Sequence, residues 1–265
     1  MSEVKTKSLN FDSVIFDLDG VVTKTAVVHA SSWKVMFDDY LHLREERDGE
    51  PFKEFTYEND YLTYVDGKPR YKGVESFLQS RGINIRFGDA KDRPNTETVC
   101  GLGNKKNLTF TKVLEEKGVE VYQPAVDLIK DLKVNGIRIG VASSSKNCQY
   151  ILQAAKIEDL FETRVDGVVS VELGLKGKPE GDIFVKAAEN IDSQPARSIV
   201  IEDAVSGVQA GVHGGFGLVI GVARENNEED LKSNGADIVV TDFKGVTAEV
   251  IKKWFQEKNN PDILI

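Results

Sequence analysis

Residues 137–142, 198–201, 217–222 and 236–240 are short apolar runs separated by stretches with helical spacing. Strands that alternate with helices in this way imply a parallel sheet with helices on both faces. A further run, Phe11-Asp-Ser-Val-Ile-Phe16, lies far upstream and ends in the polar turn Asp17-Leu-Asp-Gly20, which reads as a buried strand followed by a loop at its carboxyl end. The predicted fold class is therefore α/β, with a doubly wound, parallel, Rossmann-like core.

The helix before residue 137 is well punctuated, with Pro124 in its first turn, an apolar stripe of Val126, Leu128, Ile129 and Leu132, and Gly136 past its end. Further helices are predicted over roughly residues 147–156, 182–190, 206–213 and 246–256, the third of them Gly-rich and weak by itself. Residues 26–118 have a different texture: Trp33, Met36, Phe37, Tyr40 and Leu41 recur at helical spacing, charge is dense, and no buried strand is legible. The spacing predicts a smaller, mostly helical cap domain over 26–118, inserted after the first strand, with residues 1–25 and 119–265 forming the core. Such a cap would sit over the carboxyl ends of the strands. Residues 51–70, with Tyr57, Tyr61, Tyr64 and Gly67, read as a loop-rich part of it.

Composition narrows the function. With 40% apolar and 29% charged residues and 7 prolines among 265, the chain is an ordinary globular one. Acidic residues outnumber basic ones 43 to 34, a formal charge of -9, which opposes binding to nucleic acid but not to a small phosphorylated ligand. Cys100 and Cys148 are too few for a disulfide framework, Met1 to Asn10 is polar, and no apolar run approaches about 18 residues. A cytoplasmic protein with free thiols and no membrane partner is expected; oligomeric state is not readable.

Asp17 and Asp19 stand two apart at a strand end, so one carboxylate can face an ion while the other points toward a second reacting atom. Taken singly, such acids are more often solvated or capping residues. Their company changes that. Val141-Ala-Ser143-Ser144-Ser145-Lys146-Asn147 presents hydroxyls and backbone N–H groups suited to an anion. Gly177-Lys178-Pro179 places a cation in a stiff turn, and Ile201-Glu202-Asp203 ends a strand in two acids. All four elements fall where an open α/β sheet gathers its ligand site.

The ordered set Asp17-Leu-Asp-Gly-Val-Val-Thr23, Ser143, Lys178 and Glu202-Asp203 resembles the motifs of the haloacid dehalogenase superfamily. Within it the chain is most similar to the β-phosphoglucomutase branch, through residues 19–26 followed by His29 and Trp33, Lys106-Asn107, residues 142–147 and residues 202–210. The resemblance runs from about Phe11 to Asp242. It implies phosphoryl transfer through Asp17 as the nucleophile that forms an aspartyl-phosphate, with Asp19 as general acid and base. A metal-bound carboxylate stays ionised and can attack phosphorus, whereas a neighbour freer of the metal can carry a proton. By the same resemblance Ser143 and Lys178 hold the transferring phosphoryl group. Magnesium is bound by Asp17, the backbone carbonyl of Asp19 and Asp203, helped by Glu202. Ser144, Lys146, Asn147 and Lys106 join the substrate site, and His29 relays closure of the cap to Asp19, its alternative being an ordinary helix-surface histidine. Asp19 itself argues for phosphate rather than halide chemistry, because a departing halide needs no proton.

A mutase must also hold the far phosphate of a sugar bisphosphate. The arginine that follows Lys-Gly-Val-Ser in the branch is missing here, where Lys72-Gly-Val74 is followed by Glu75, Ser76 and Phe77. Lys72, Arg70, Arg81 and Lys106 are the candidate substitutes. Residues 48–70 have no obvious counterpart in the branch, and Lys24 replaces an acid, adding positive charge near the phosphate site. A small phosphorylated substrate, above all a sugar phosphate, is expected, with a phosphomutase and a sugar phosphatase both open. The alternative from another class is a non-catalytic phosphometabolite-binding regulatory protein.

Overall fold

A computed structural model describes residues 11–224 and 226–259; the polar start, Met1 to Asn10, lies outside the described residues. Six strands, β1 (Ser13–Phe16), β2 (Arg138–Ala142), β3 (Thr163–Val165), β4 (Ser198–Glu202), β5 (Leu218–Val222) and β6 (Ile238–Val240), form one parallel sheet in the order β3-β2-β1-β4-β5-β6. This is the expected doubly wound arrangement. β1 pairs with β2 on one side and β4 on the other, Phe16 lying beside both Val141 and Ile201. Strand order reverses at β1, so the loops leaving β1, β2 and β4 diverge around a crevice at their carboxyl ends.

Side chains alternate across the sheet. Val14 and Phe16 pack with Leu128 and Ile129 of α4 (Gln123–Val134), Ile151 of α5 (Cys148–Ala154) and Ile251 of the carboxyl-terminal helix, residues 248–259. Ile15 faces the other way, onto Phe184 of α7 (Asp182–Asn190), Val208 of α8 (Val205–His213) and Leu231 of α9 (Glu228–Ser233). The Gly-rich α8 forms because its glycines face the sheet: a Cβ at Gly207 would run into the Glu202 side chain. The remaining short helix, α6 (Gly167–Leu173), follows β3 and is capped by the Asp166 carboxylate, which accepts from the Val168 and Val169 N–H groups.

Between β1 and β2 lie α1 (Thr25–Asp48), α2 (Arg70–Ser80) and α3 (Val99–Lys117), which enclose a cluster of their own. The stripe Trp33, Met36, Phe37, Tyr40 and Leu41 is buried there, the Phe37 ring lying tilted 4.1 Å from Phe77 and stacked 5.0 Å from Phe55. One expectation needs correction. Residues 51–70 are not loop throughout but contain a π-helix, Tyr57–Val65, whose Tyr61 and Val65 are buried in this cluster. Its start is held by Asp60, which accepts from the Thr56 N–H at 2.8 Å and is paired with Arg81 at 2.9 Å. No described helix is long and apolar enough to cross a membrane, and both cysteines are buried and free.

Candidate active site

β1 carries its pairing one residue beyond the strand, the Asp17 N–H donating to the Ile201 carbonyl at 2.9 Å, and this fixes Asp17 at the centre of the crevice. The chain then turns tightly, with the Gly20 N–H bonded to the Thr23 carbonyl at 2.7 Å. Gly20 has φ +89°, and a Cβ there would land on the Asp203 carboxylate, so glycine is what lets Asp203 lie directly against the turn. Arg224 clamps the same turn, donating to the Gly20 carbonyl at 2.7 Å and stacking 3.6 Å over the Tyr122 ring. The sequence reading missed Arg224, since a lone arginine after a strand matches no motif.

Lys178 is buried with its Nζ 2.5 Å from Asp17 Oδ1, and it also bonds Glu202. The second Glu202 oxygen accepts from the Ala204 N–H at 2.6 Å, so both oxygens are occupied. Burial works against the ammonium, but the two carboxylates outweigh it and hold the Lys178 pKa above its ordinary value. The acids have too little positive charge to share. Burial, then the neighbouring acids, drives Asp17 and Asp203 well above the usual carboxylate range, although Lys178 works against the rise in both.

Asp19 has a different environment. It accepts from Ser143 Oγ at 3.1 Å and from Thr25 Oγ1, and His29 Nε2 stands 3.4 Å away. Burial alone would raise Asp19, but His29 and these hydroxyls reverse that and hold it at about 2. Burial, then the Lys106 ammonium, pulls His29 down to about 4. At neutral pH the imidazole is thus uncharged, and hydroxyl donors hold Asp19 ionised. His29 is no surface residue: it stacks 3.9 Å from Phe110, and its Nδ1 is 2.5 Å from Lys106 Nζ. Burial, then Arg70, depresses Lys106 in turn.

Residues 143–147 form the expected polar loop, the Ser145 N–H bonding Ser143 Oγ at 3.1 Å and the Asn147 N–H bonding Ser145 Oγ at 3.2 Å. Asn147 Nδ2 donates to Asn107 Oδ1 at 2.8 Å, and Arg70 donates to the same oxygen at 2.6 Å. One cavity therefore has an acidic end at Asp17, Glu202 and Asp203 and a cationic end at Arg70, Lys106 and Lys146. Lys72 and Arg81 are not part of it, being paired with Glu75 at 2.7 Å and Asp60 at 2.9 Å. The expectation for Lys24 is corrected as well: it is half exposed, pairs with Glu120 at 2.8 Å and does not line the cavity.

Asp66, at the end of the π-helix, also lines the cavity. Burial, then the Glu202 carboxylate, pushes it from the ordinary 3.8 up to about 7. The folded state therefore holds an extra proton between about pH 4 and 7, and metal-free protein is expected to lose stability as pH rises through that window. Asp66→Asn removes the penalty, so calorimetry is expected to show a Tm raised by several degrees at pH 8 and unchanged at pH 4. An equal shift at both values would contradict this.

An acid-bearing turn on the central strand, a loop of hydroxyls and amides beside it and a charged lysine bridging two buried acids make a site of the kind phosphoryl-transfer enzymes carry on a Rossmann-like sheet. A family model for haloacid dehalogenase-like hydrolases matches residues 11–215, and the chain belongs to that family. It is 44% identical over 232 residues to β-phosphoglucomutase from Mycobacterium bovis, covering 86% of this chain and 88% of that protein. To β-phosphoglucomutase from Bacillus subtilis it is 32% identical over 246 residues, covering 92% and 96%. The crystal structure of β-phosphoglucomutase from Clostridium difficile matches with a TM-score of 0.72 at 26% identity, over 93% of this chain and 98% of that one. The chain thus falls in the β-phosphoglucomutase-like branch and is an enzyme of the phosphatase and phosphomutase kind.

Proposed function

We propose that the protein is a magnesium-dependent phosphomutase that moves a phosphoryl group between two oxygens of a sugar phosphate through a phosphorylated Asp17. Residues 26–118 serve as its cap domain over a core that, among the described residues, takes in 11–25 and the chain from 119 onward. The observation that carries the reading is the cationic end of the cavity. Arg70 is part-buried, lines the cavity and pairs with no carboxylate among the described residues, desolvation disfavouring its charge. A partly desolvated guanidinium without a counter-charge is costly, and a second phosphate on the substrate supplies one. A phosphatase for monophosphates has no use for it.

The acidic end suits magnesium, which takes hard oxygen ligands and keeps several waters. Among the described residues no three carboxylate, imidazole or thiolate side chains stand together in ligand geometry, so the acids do not form a complete cage. The fit rests on the close approach of Asp203 to the Gly20 turn and on two acids short of positive charge, the buried Asp17 and the part-buried Asp203. Asp17, Asp203 and the backbone carbonyl of Asp19 would hold the ion, and Glu202, with both oxygens engaged, positions Lys178. When bound, magnesium would neutralise these acids and the charge that develops on the phosphoryl oxygens.

The side chains divide the remaining work. Phosphorylated Asp17 meets a sugar hydroxyl, Asp19 takes the hydroxyl proton, the new P–O bond forms and the bond to Asp17 breaks, leaving a sugar bisphosphate. The bisphosphate turns over. Asp17 then attacks the other phosphorus while Asp19 returns the same proton to the departing sugar oxygen, which regenerates both residues. Ser143 and Lys178 hold the phosphoryl oxygens, Ser144, Lys146, Asn147 and Arg70 hold the rest of the substrate, and His29 with Lys106 keeps Asp19 in place.

The test is an assay with magnesium, β-glucose 1-phosphate and a trace of glucose 1,6-bisphosphate, following glucose 6-phosphate and free phosphate together. Glucose 6-phosphate is expected to dominate. In Arg70→Ala the KM for the bisphosphate is expected to rise about 100-fold, as for loss of a desolvated charge pair with the substrate. Free phosphate as the sole product would replace the mutase with a phosphatase.

A further inference from the structure

The π-helix and the turn after it touch the catalytic core at three points around the crevice. Ser206 Oγ, in the first turn of α8, donates to the Asp66 carbonyl at 3.0 Å. Ser144 Oγ, after β2, donates to the Gly67 carbonyl at 2.7 Å. Pro69 packs on Gly177, where a Cβ would collide with its ring, beside Lys178. Between these contacts Gly67 adopts φ +69°, and a Cβ on it would strike Ser206 Oγ and lie 3.2 Å from the Ala204 Cβ. The buried Tyr61 and Val65 anchor the turn from the cap side and line the cavity. These contacts come from the stretch, residues 48–70, that lacks a counterpart in the branch pattern.

We propose that residues 66–69 form an acceptor-selecting latch, in which Ser206 and Gly67 act as positioning residues that seal the crevice so that phosphorylated Asp17 meets a sugar hydroxyl and not water. The chemistry differs only in the acceptor. With water, its oxygen bonds to phosphorus, the bond to Asp17 breaks with its electron pair returning to the carboxylate, a water proton passes to Asp19, and inorganic phosphate leaves. With the sugar, the hydroxyl oxygen does the same and a bisphosphate forms. Closure that excludes water decides between them. Each latch bond runs from a core side chain to a cap carbonyl, so the seal exists only when cap and core meet.

The inference rests on the mutase reading above, and its test separates the two. The ratio of free phosphate to glucose 6-phosphate is measured in the same assay for the wild type, Ser206→Ala and Gly67→Ala. Loss of one hydrogen bond in Ser206→Ala is expected to raise the ratio about fivefold. The strain and clash in Gly67→Ala are expected to raise it about tenfold or more. Consumption of β-glucose 1-phosphate is expected to stay within about twofold, because neither residue touches the phosphoryl group. A purely structural role would lower both products together and leave the ratio alone. Ser206→Ala introduces no strain, which keeps the test valid should Gly67→Ala fail to fold. A wild-type ratio in folded variants overturns the latch while leaving the mutase standing. A wild-type enzyme that releases only phosphate overturns the mutase reading and the latch together.

Discussion

Asp17→Asn is expected to lower kcat by at least about 10⁴-fold while leaving the protein folded. The amide occupies nearly the same volume but is no nucleophile, and in the proposed cycle every later step needs the phosphoryl group on residue 17. Lys178 keeps its bond to Glu202, so its charge is not stranded. The sign of the stability change follows from the titration. Burial raises Asp17 well above its ordinary 3.8, so at pH 7 the native state carries a titration cost at this carboxyl that the unfolded chain does not. The neutral amide lacks that cost, and the metal-free variant is expected to melt no lower than the wild type. An active variant, or one lost to unfolding, would contradict the assignment.

Lys178→Met acts in the opposite direction on stability. Methionine fills most of the lysine volume but leaves Asp17 and Glu202 facing each other, both buried, with the ammonium between them gone. Stranding buried carboxylates costs about 3–5 kcal/mol, and, with Lys178 in the proposed role at the phosphoryl oxygens, its removal is expected to cost about 10²–10³ in kcat. Asp17 escapes its penalty by taking a proton. The stability deficit of Lys178→Met relative to wild type is therefore expected to shrink as pH falls from 8 to 5, where denaturant titrations can follow it. A deficit that does not change with pH would mean that lost packing, rather than lost charge, is responsible.

These two residues were legible in the sequence for a physical reason. Asp17, Ser143, Lys178 and Glu202-Asp203 are short local strings at strand or helix ends, and a doubly wound sheet converges such ends whatever lies between them. Arg70 was legible only as one of four candidate cations, because charge on a helical insertion ordinarily marks its solvated side. Packing singles it out: α2 lies against α3, which brings Arg70 to Asn107 and, through that amide, to Asn147 of the core. Lys72 and Arg81, farther along the same segment, are consumed by Glu75 and Asp60.

Other parts had no local signal. The π-helix Tyr57–Val65 follows neither the helical nor the strand period and is held by Asp60 and by tertiary burial of Tyr61. β3 is a three-residue edge strand, only part buried, with no apolar run to mark it. Ser206, Gly67 and Arg224 act through backbone carbonyls of distant segments, and a carbonyl carries no residue identity for a sequence to reveal.

The most direct test of the central claim is to locate the phosphoryl group on the protein. Enzyme given one equivalent of glucose 1,6-bisphosphate with magnesium is quenched within its first turnover and reduced with borohydride, which converts an acyl phosphate to an alcohol. Peptide mapping by mass spectrometry then reads which carboxylate carried the group. Homoserine at position 17 with Asp19 intact is the expected result. Homoserine at position 19, or an unmodified Asp17 in enzyme trapped while turning over, would contradict it.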